Sequence, residues 1–229
     1  AALKSEFLYQ YQEENGYSFR NSMFANNVKY NKIGSLFPSL TNLVLNTYVT
    51  KSIMGISLKR SVPKLTPKTL KSWYKKQTHS SSKKIIYVFC DEFTNFYDTE
   101  IGKDTVIVLK RLGYNPTFIK HPESGRSFIS KGFLKEAKAL ANKNVSIFKE
   151  LITDKTPLIG IEPSAILTFR DEYIRLADDV NSAKIIAKNT FTIEEFLKNE
   201  FEKGNIRTNQ FTTEKKSIKI HGHCHQKAL

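Results

Sequence analysis

Residues 85–113, IIYVFCDEFTNFYDTEIGKDTVIVLKRLG, decide the fold. Ile85 to Cys90 form an apolar run of the length of a buried strand. A polar turn follows. Ile101, Thr105, Val108, Leu109 and Leu112 then recur on one helical stripe, with Gly113 as the stop. A strand feeding an amphipathic helix is the opening half of a parallel crossover unit.

Downstream the pattern repeats. TFIK (117–120) reads as a second strand and 129–152 as a long helix, with Leu134, Ala137, Ala141, Val145, Phe148 and Ile152 facing inward. PLIGI (157–161) is the third strand, followed by a helix over 164–176 with Ser164 as its N-cap. Helix 192–203 opens with a capping box, Thr192 and Glu195, stapled by Phe191 and Phe196, and Gly204 ends it. SIKI (217–220) is the fourth strand. Alternating strands and helices with right-handed crossovers predict an α/β domain: a four-stranded parallel Rossmann-like sheet, order 2-1-3-4, flanked by helices.

Upstream of this domain, residues 1–15 are expected to form a helix ended by Gly16, and 21–56 two or three helices punctuated by Gly34, Pro38 and Gly55. Residues 57–84 carry Pro63, Pro67 and the run HSSSKK, which contains His79, and read as an extended linker. The chain thus divides into a helical region and linker, 1–84, and an α/β domain, 85–229. It opens inside a helical pattern without a Met, so a fragment of a longer protein is expected.

The net charge of +14 comes from scattered lysines, densest over 59–84. Such a run is ordinarily a solvated face, with docking to a protein or membrane surface next in line. No RNA-binding aromatic signature or zinc-finger spacing accompanies it, so no nucleic-acid partner is expected. No apolar run approaches the ~20 residues of a membrane helix. Two cysteines make no disulfide framework, and a cytoplasmic setting, with peripheral contact to the inner face of the membrane, is the expectation.

Every predicted strand runs into a polar cluster. These are Cys90, Asp91, Glu92 and Asn95 after the first; His121, Glu123, Ser124 and Arg126 after the second; Glu162 and Ser164 after the third; and HGHCH (221–225) after the fourth. In an open parallel sheet ligands bind at the carboxyl ends of the strands, so the four clusters should meet on one rim. Arg126 either clamps a substrate carboxylate or pairs with Glu162 or Glu92. In an extended segment His221, His223 and His225 would share one face and could bind zinc, nickel or iron, with Cys224 opposite. The plainer alternative is one capping histidine, one buried and the rest solvated.

HGHCHQKAL (221–229), EPSAILTFRDEY (162–173) and ESGRSFISKG (123–132) together resemble the C-terminal iron–sulfur region, the cysteine-rich or CCG-type domain, of FAD-linked 2-hydroxyacid oxidoreductases such as glycolate oxidase and D-lactate or D-2-hydroxyglutarate dehydrogenases. The resemblance covers most of the chain. It implies that Cys90 is the lone cysteine of a first, degenerate repeat. The family's Cys-Cys-Gly is replaced by Glu123-Ser124-Gly125, and its third cysteine by Ala165. Cys224 would open a second repeat as a cluster ligand. One thiolate cannot hold a four-iron cluster, so no cofactor is expected in this chain by itself. An iron–sulfur cluster and FAD belong to the longer protein, whose flavin-binding and ferredoxin-like parts would be the partners, alongside a membrane-side electron acceptor. The expectation is a fragment of a 2-hydroxyacid oxidoreductase, inactive alone, that serves electron transfer or a substrate-contacting rim of Glu92, Asn95, Glu123, Ser124, Arg126 and Glu162. The alternatives are a docking module and a metal-binding domain built on HGHCH.

Overall fold

The computed structural model describes residues 2–78 and 82–228, so His79 lies outside the described residues. Helices α1 (Ala2–Asn15), α2 (Phe19–Ala25), α3 (Asn27–Gly34), α4 (Pro38–Leu45), α5 (Tyr48–Ile53) and α6 (Leu70–Tyr74) precede the sheet. Strand β1 (Ile85–Phe89) leads through α7 (Glu92–Phe96) and α8 (Thr99–Arg111) to β2 (Asn115–Thr117). Then come α9 (Arg126–Ser130), α10 (Leu134–Phe148) and β3 (Leu158–Gly160). The segment α11 (Pro163–Ile166), a 3-10 turn (Leu167–Phe169), α12 (Glu172–Leu176) and α13 (Val180–Lys188) leads to β4 (Thr190–Thr192). The described chain ends with α14 (Ile193–Glu202), a short 3-10 turn and α15 (Cys224–Ala228).

The sheet is parallel, as the strand–helix alternation implies, and its order is the expected 2-1-3-4, though with a different fourth strand. Side chains alternate across it. Ile86, Val88 and Ile159 face Leu109 and Phe196 of α8 and α14, whereas Phe89 and Leu158 face Phe148, Ile166, Phe169, Tyr173 and Ile186. The two layers are the cores on either side of a doubly covered sheet.

The fourth strand is not the expected one. Residues 217–220 form no strand, and Ile218 and Ile220 are 74% and 89% exposed. The edge of β3 is taken instead by Thr190–Thr192, with Leu158 opposite Thr190 and Gly160 opposite Thr192. Thr192 both ends this strand and caps α14 through the expected capping box with Glu195. The second strand also begins two residues early, at Asn115.

Other differences have local causes. Gly132, with φ +74°, breaks the expected 129–152 helix into α9 and α10; a Cβ there would lie 2.7 Å from the Leu8 Cβ, so the break seats α1. On α8 the buried stripe is Thr99, Gly102, Thr105, Val106 and Leu109, leaving Ile101 and Val108 outside, because Leu70 of α6 packs directly over Gly102. The 164–176 segment is α11, a 3-10 turn and α12, and its cap is Glu162 rather than Ser164, with Pro163 at the first helical position. The N-terminal helices are four over 19–53, and the linker contains α6.

The N-terminal region packs on the α/β layers through small clusters. Ala25 meets Phe128, Ile129 and Phe133, and Val28 meets Leu65 and Phe96. Tyr74 stacks on Phe118 at 4.1 Å and donates to the Pro116 carbonyl. The outer faces of α3 to α5 are uncovered: Leu36 and Phe37 are 71% and 70% exposed, and Ile33, Leu40, Leu43 and Tyr48 are also exposed. Among the described residues no helix is long and apolar enough to cross a membrane.

Candidate functional site

At the carboxyl ends of β1 and β2 lies a cavity of about 250 Å³, bordered by Lys32 of α3, Lys71, Cys90, Glu92, His121 and Glu123. A larger cavity of about 510 Å³, lined by Lys83, Lys84, Lys155, Tyr114 and Glu200, sits at the opposite, amino ends of the strands. Backbone polarity and loop convergence favour ligands at the carboxyl end, so the smaller cavity is the candidate site.

The turn after β1 builds its floor. Asp91 caps α7: its Oδ1 accepts from the Phe93 and Thr94 amides at 2.9 and 2.8 Å, and its Oδ2 from the Thr94 hydroxyl at 2.7 Å. That cap fixes Glu92 on the first turn, facing the loop after β2. There the Ser124 amide donates to Glu92 Oε2 (3.0 Å) and the Ser124 hydroxyl to Oε1 (2.5 Å). Ser124 Oγ accepts from the Arg126 amide, and the Ser124 carbonyl accepts from the Tyr173 hydroxyl at 2.9 Å. Gly125, at φ +77°, makes the tight turn between them, which a residue with Cβ adopts only under strain. Asn144 Nδ2 donates to the Glu123 carbonyl and the Tyr173 oxygen.

His121 forms the back wall. Its Nε2 accepts from the Cys90 amide at 3.2 Å, so Nδ1 carries the proton and donates to the Pro122 carbonyl at 2.6 Å. The ring stacks on Phe89 at 4.2 Å. Burial, reinforced by the Lys71 charge, pushes its pKa down to about 3, so it stays neutral. Asn95 Oδ1 accepts from the Lys71 amide at 3.0 Å and receives the Cys90 thiol at 3.7 Å. Burial raises the Cys90 thiol to about 12, which keeps it an inert, protonated core group.

Two carboxyls are tuned upward. Burial, with help from the charge of Glu92, pushes Asp91 up to about 7 against its three donors. Burial and Glu92 likewise raise Glu123 to about 7, opposed by Lys32, and Glu123 Oε2 has no hydrogen-bond partner among the described residues. Each binds its proton more tightly folded than unfolded. Its stabilising contribution is therefore full at low pH and is lost as pH rises from the ordinary carboxyl range through about 7. Asp91→Asn keeps an acceptor for the α7 amides without an ionisable group. Urea midpoints measured from pH 4.5 to 8 should show the variant gaining on the wild type as pH rises; parallel curves would mean that Asp91 titrates normally.

Cys90, Glu92, Asn95 and Glu123 border the cavity, and Ser124 binds Glu92 beside it. Arg126 joins them, but its partner is neither Glu162 nor Glu92: its guanidinium pairs with Glu172. Glu162 is occupied by capping α11, accepting from both the amide and the hydroxyl of Ser164. Ala165 is fully buried in the core.

The HGHCH segment does not follow a strand, and its extended course stops where α15 begins at Cys224, which is exposed. His221 points to solvent, His223 Nε2 lies 3.9 Å from Glu162 Oε1, and His225 turns inward to Asp171 and Glu172. The three imidazoles are therefore not gathered on one face. Lys32, Lys71, Asn144 and Glu172 belong to the site or its support without being marked by the strand-end pattern. None of them stands out in the sequence: Glu172 lies beside Arg170 and Asp171 in the charged stretch FRDEY.

The residues present do not fit an iron–sulfur cluster. Cys90 is buried and held protonated, Cys224 is exposed, and the chain has two cysteines against the four thiolates a cluster requires. The turn after β1, Cys90-Asp91-Glu92, carries none of the glycines of a dinucleotide-binding turn.

Fold and rim define an open parallel α/β domain with a small cavity of mixed charge, Glu92 and Glu123 with Lys32 and Lys71, at the carboxyl edge of its sheet. The chain is similar over part of its length to proteins named D-2-hydroxyglutarate dehydrogenase. It is 29% identical over 89 residues to that of Haemophilus influenzae, covering 39% of this chain and 9% of the relative. Against that of Escherichia coli strain K12 it is 30% identical over 88 residues, 38% of this chain and 9% of the relative. Against that of Pseudomonas putida the match is 22% over 136 residues, 59% of this chain and 12% of the relative. The chain thus spans about a tenth of the length of these relatives. No protein-family model matches it. No solved structure matches it either. The partial similarities support a relationship to 2-hydroxyacid oxidoreductases.

Proposed function

We propose that this chain is a module of a flavin-dependent oxidoreductase acting on a 2-hydroxy acid. It docks on the flavin-binding part of that enzyme through α3 to α5 and contributes the Glu92–Glu123–Arg126 rim beside the path of electrons or substrate. The uncovered apolar face over residues 33–53 carries this reading. Contiguous exposed apolar surface of several hundred Å² marks an interaction site in a water-soluble domain. The occupant follows from the dehydrogenases it resembles, whose remaining length supplies a much larger partner. On this reading Cys224, exposed at the start of α15, would serve a cluster only with ligands supplied by other parts of such an enzyme.

With FAD, D-2-hydroxyglutarate and a dye acceptor, the purified chain should show no turnover. Mixed with the flavin-binding part of the Escherichia coli dehydrogenase, it should cosediment, and Leu36→Asp with Phe37→Asp should abolish the complex. Turnover by the chain alone overturns the reading. So does self-association of the chain through the same face with no binding to the flavin part, which would assign the face to a second copy.

A further inference from the structure

We propose that Asp171, Glu172 and His225 form a site for one divalent transition-metal ion, zinc by preference, that fastens α15 to the carboxyl rim. This stands apart from the dehydrogenase reading and would hold whatever the chain docks on. One ligand atom from each residue lies within 4.8 Å of the others. His225 Nε2 is 3.8 Å from Asp171 Oδ2 and 4.0 Å from Glu172 Oε2. Those separations are too long for hydrogen bonds. They are close to the ~3.4 Å expected between neighbouring ligands of a tetrahedral zinc with bonds of about 2.0–2.2 Å.

Two buried atoms face each other there without partners. Glu172 is 4% exposed, and neither its Oε2 nor His225 Nε2 has a hydrogen-bond partner among the described residues. A buried acceptor left unmatched costs free energy, so such a pair calls for something between them. The outer oxygens are already held: Arg126 takes Glu172 Oε1 and Arg175 takes Asp171 Oδ1. Each carboxylate is thereby oriented by an arginine on one oxygen and presents the other to His225, which is how supporting residues aim metal ligands. The His225 amide donates to His223 Nδ1 at 3.1 Å, which fixes the turn that brings His225 in. One imidazole and two carboxylates suit zinc better than calcium or magnesium, which prefer all-oxygen shells. With three protein ligands, and both carboxylates shared with arginines, the affinity should be of micromolar order, weaker than closed four-ligand sites.

Calorimetric titration of the full untagged chain with zinc chloride tests this. One zinc per chain is expected. Asp171→Asn and His225→Ala, both at partly exposed positions where folding is checked by circular dichroism, should each weaken binding by at least about tenfold. Cys224→Ser and His221→Ala should leave binding unchanged. Cobalt in place of zinc should give a visible spectrum without a sulfur-to-metal charge-transfer band. No binding, binding that survives His225→Ala, or binding lost in Cys224→Ser or His221→Ala overturns the site; the last would place the metal on the HGHCH segment instead.

Discussion

Arg126→Ala should lower the unfolding free energy by about 3–5 kcal/mol, the range found when one partner of a buried ion pair is removed. The Arg126 side chain is 14% exposed and its partner Glu172 only 4%. Truncation leaves the Glu172 carboxylate buried opposite the imidazole of His225 with no cation on its Oε1 side. That uncompensated charge, rather than the lost attraction, dominates the cost. The pair also sits where α9 meets α12, and the Ser124 hydroxyl that accepts from the Arg126 amide is the same one that holds Glu92. Loosening Arg126 therefore loosens the floor of the cavity. Urea unfolding gives the magnitude. Arg126→Leu combined with Glu172→Leu should recover most of the loss, because two apolar groups leave no stranded charge. A loss below about 1 kcal/mol in the single variant would show the pair to be solvated, as surface pairs are.

How far the sequence spoke depends on what each element needs from elsewhere. The strand at 85–89 was legible because a central parallel strand is buried on both faces and so reads as one apolar run. Parallel pairing followed from the alternation of strands and helices, which narrows the strand order without fixing it. The fourth strand was not legible. SIKI alternates as a half-buried strand should, yet it has no neighbour to bury against, while the true edge is three residues of β4 merged with the capping signal of α14. The α8 stripe was misread for a related reason. Burial there is set by Leu70 descending on Gly102, and a glycine at a contact leaves no mark in a hydrophobic pattern. The rim residues after β1 and β2 were legible because strand ends in a parallel sheet converge. Lys32 and Lys71 were not, since they reach the cavity from a region more than a dozen residues away in sequence whose packing only the folded chain reveals.

Phe148→Ala should cost about 3–5 kcal/mol, the range for a large buried aromatic replaced by a methyl group. Against a total stability of about 5–15 kcal/mol that is a large fraction. Phe148 is fully buried and meets Phe89, Phe169 and His121 with ring centroids 6.2, 5.7 and 5.8 Å away. Its loss opens a cavity behind the imidazole that closes the back of the site. His121 keeps its two partners, the Cys90 amide and the Pro122 carbonyl, so its tautomer persists. What changes is the desolvation that pushes its pKa down to about 3. A neutral histidine held below its ordinary value makes the fold lose stability as pH falls from about 6.5 toward 3, because the unfolded chain takes up the proton first. In Phe148→Ala water gains access to the ring, the titration midpoint of His121 in a proton NMR series should move up, and this share of the acid sensitivity should shrink. An unmoved midpoint with the full loss of stability would assign the depression to the Lys71 charge instead of burial, and the cavity's electrostatics would then be set by its lysine wall rather than by the aromatic layer beneath it.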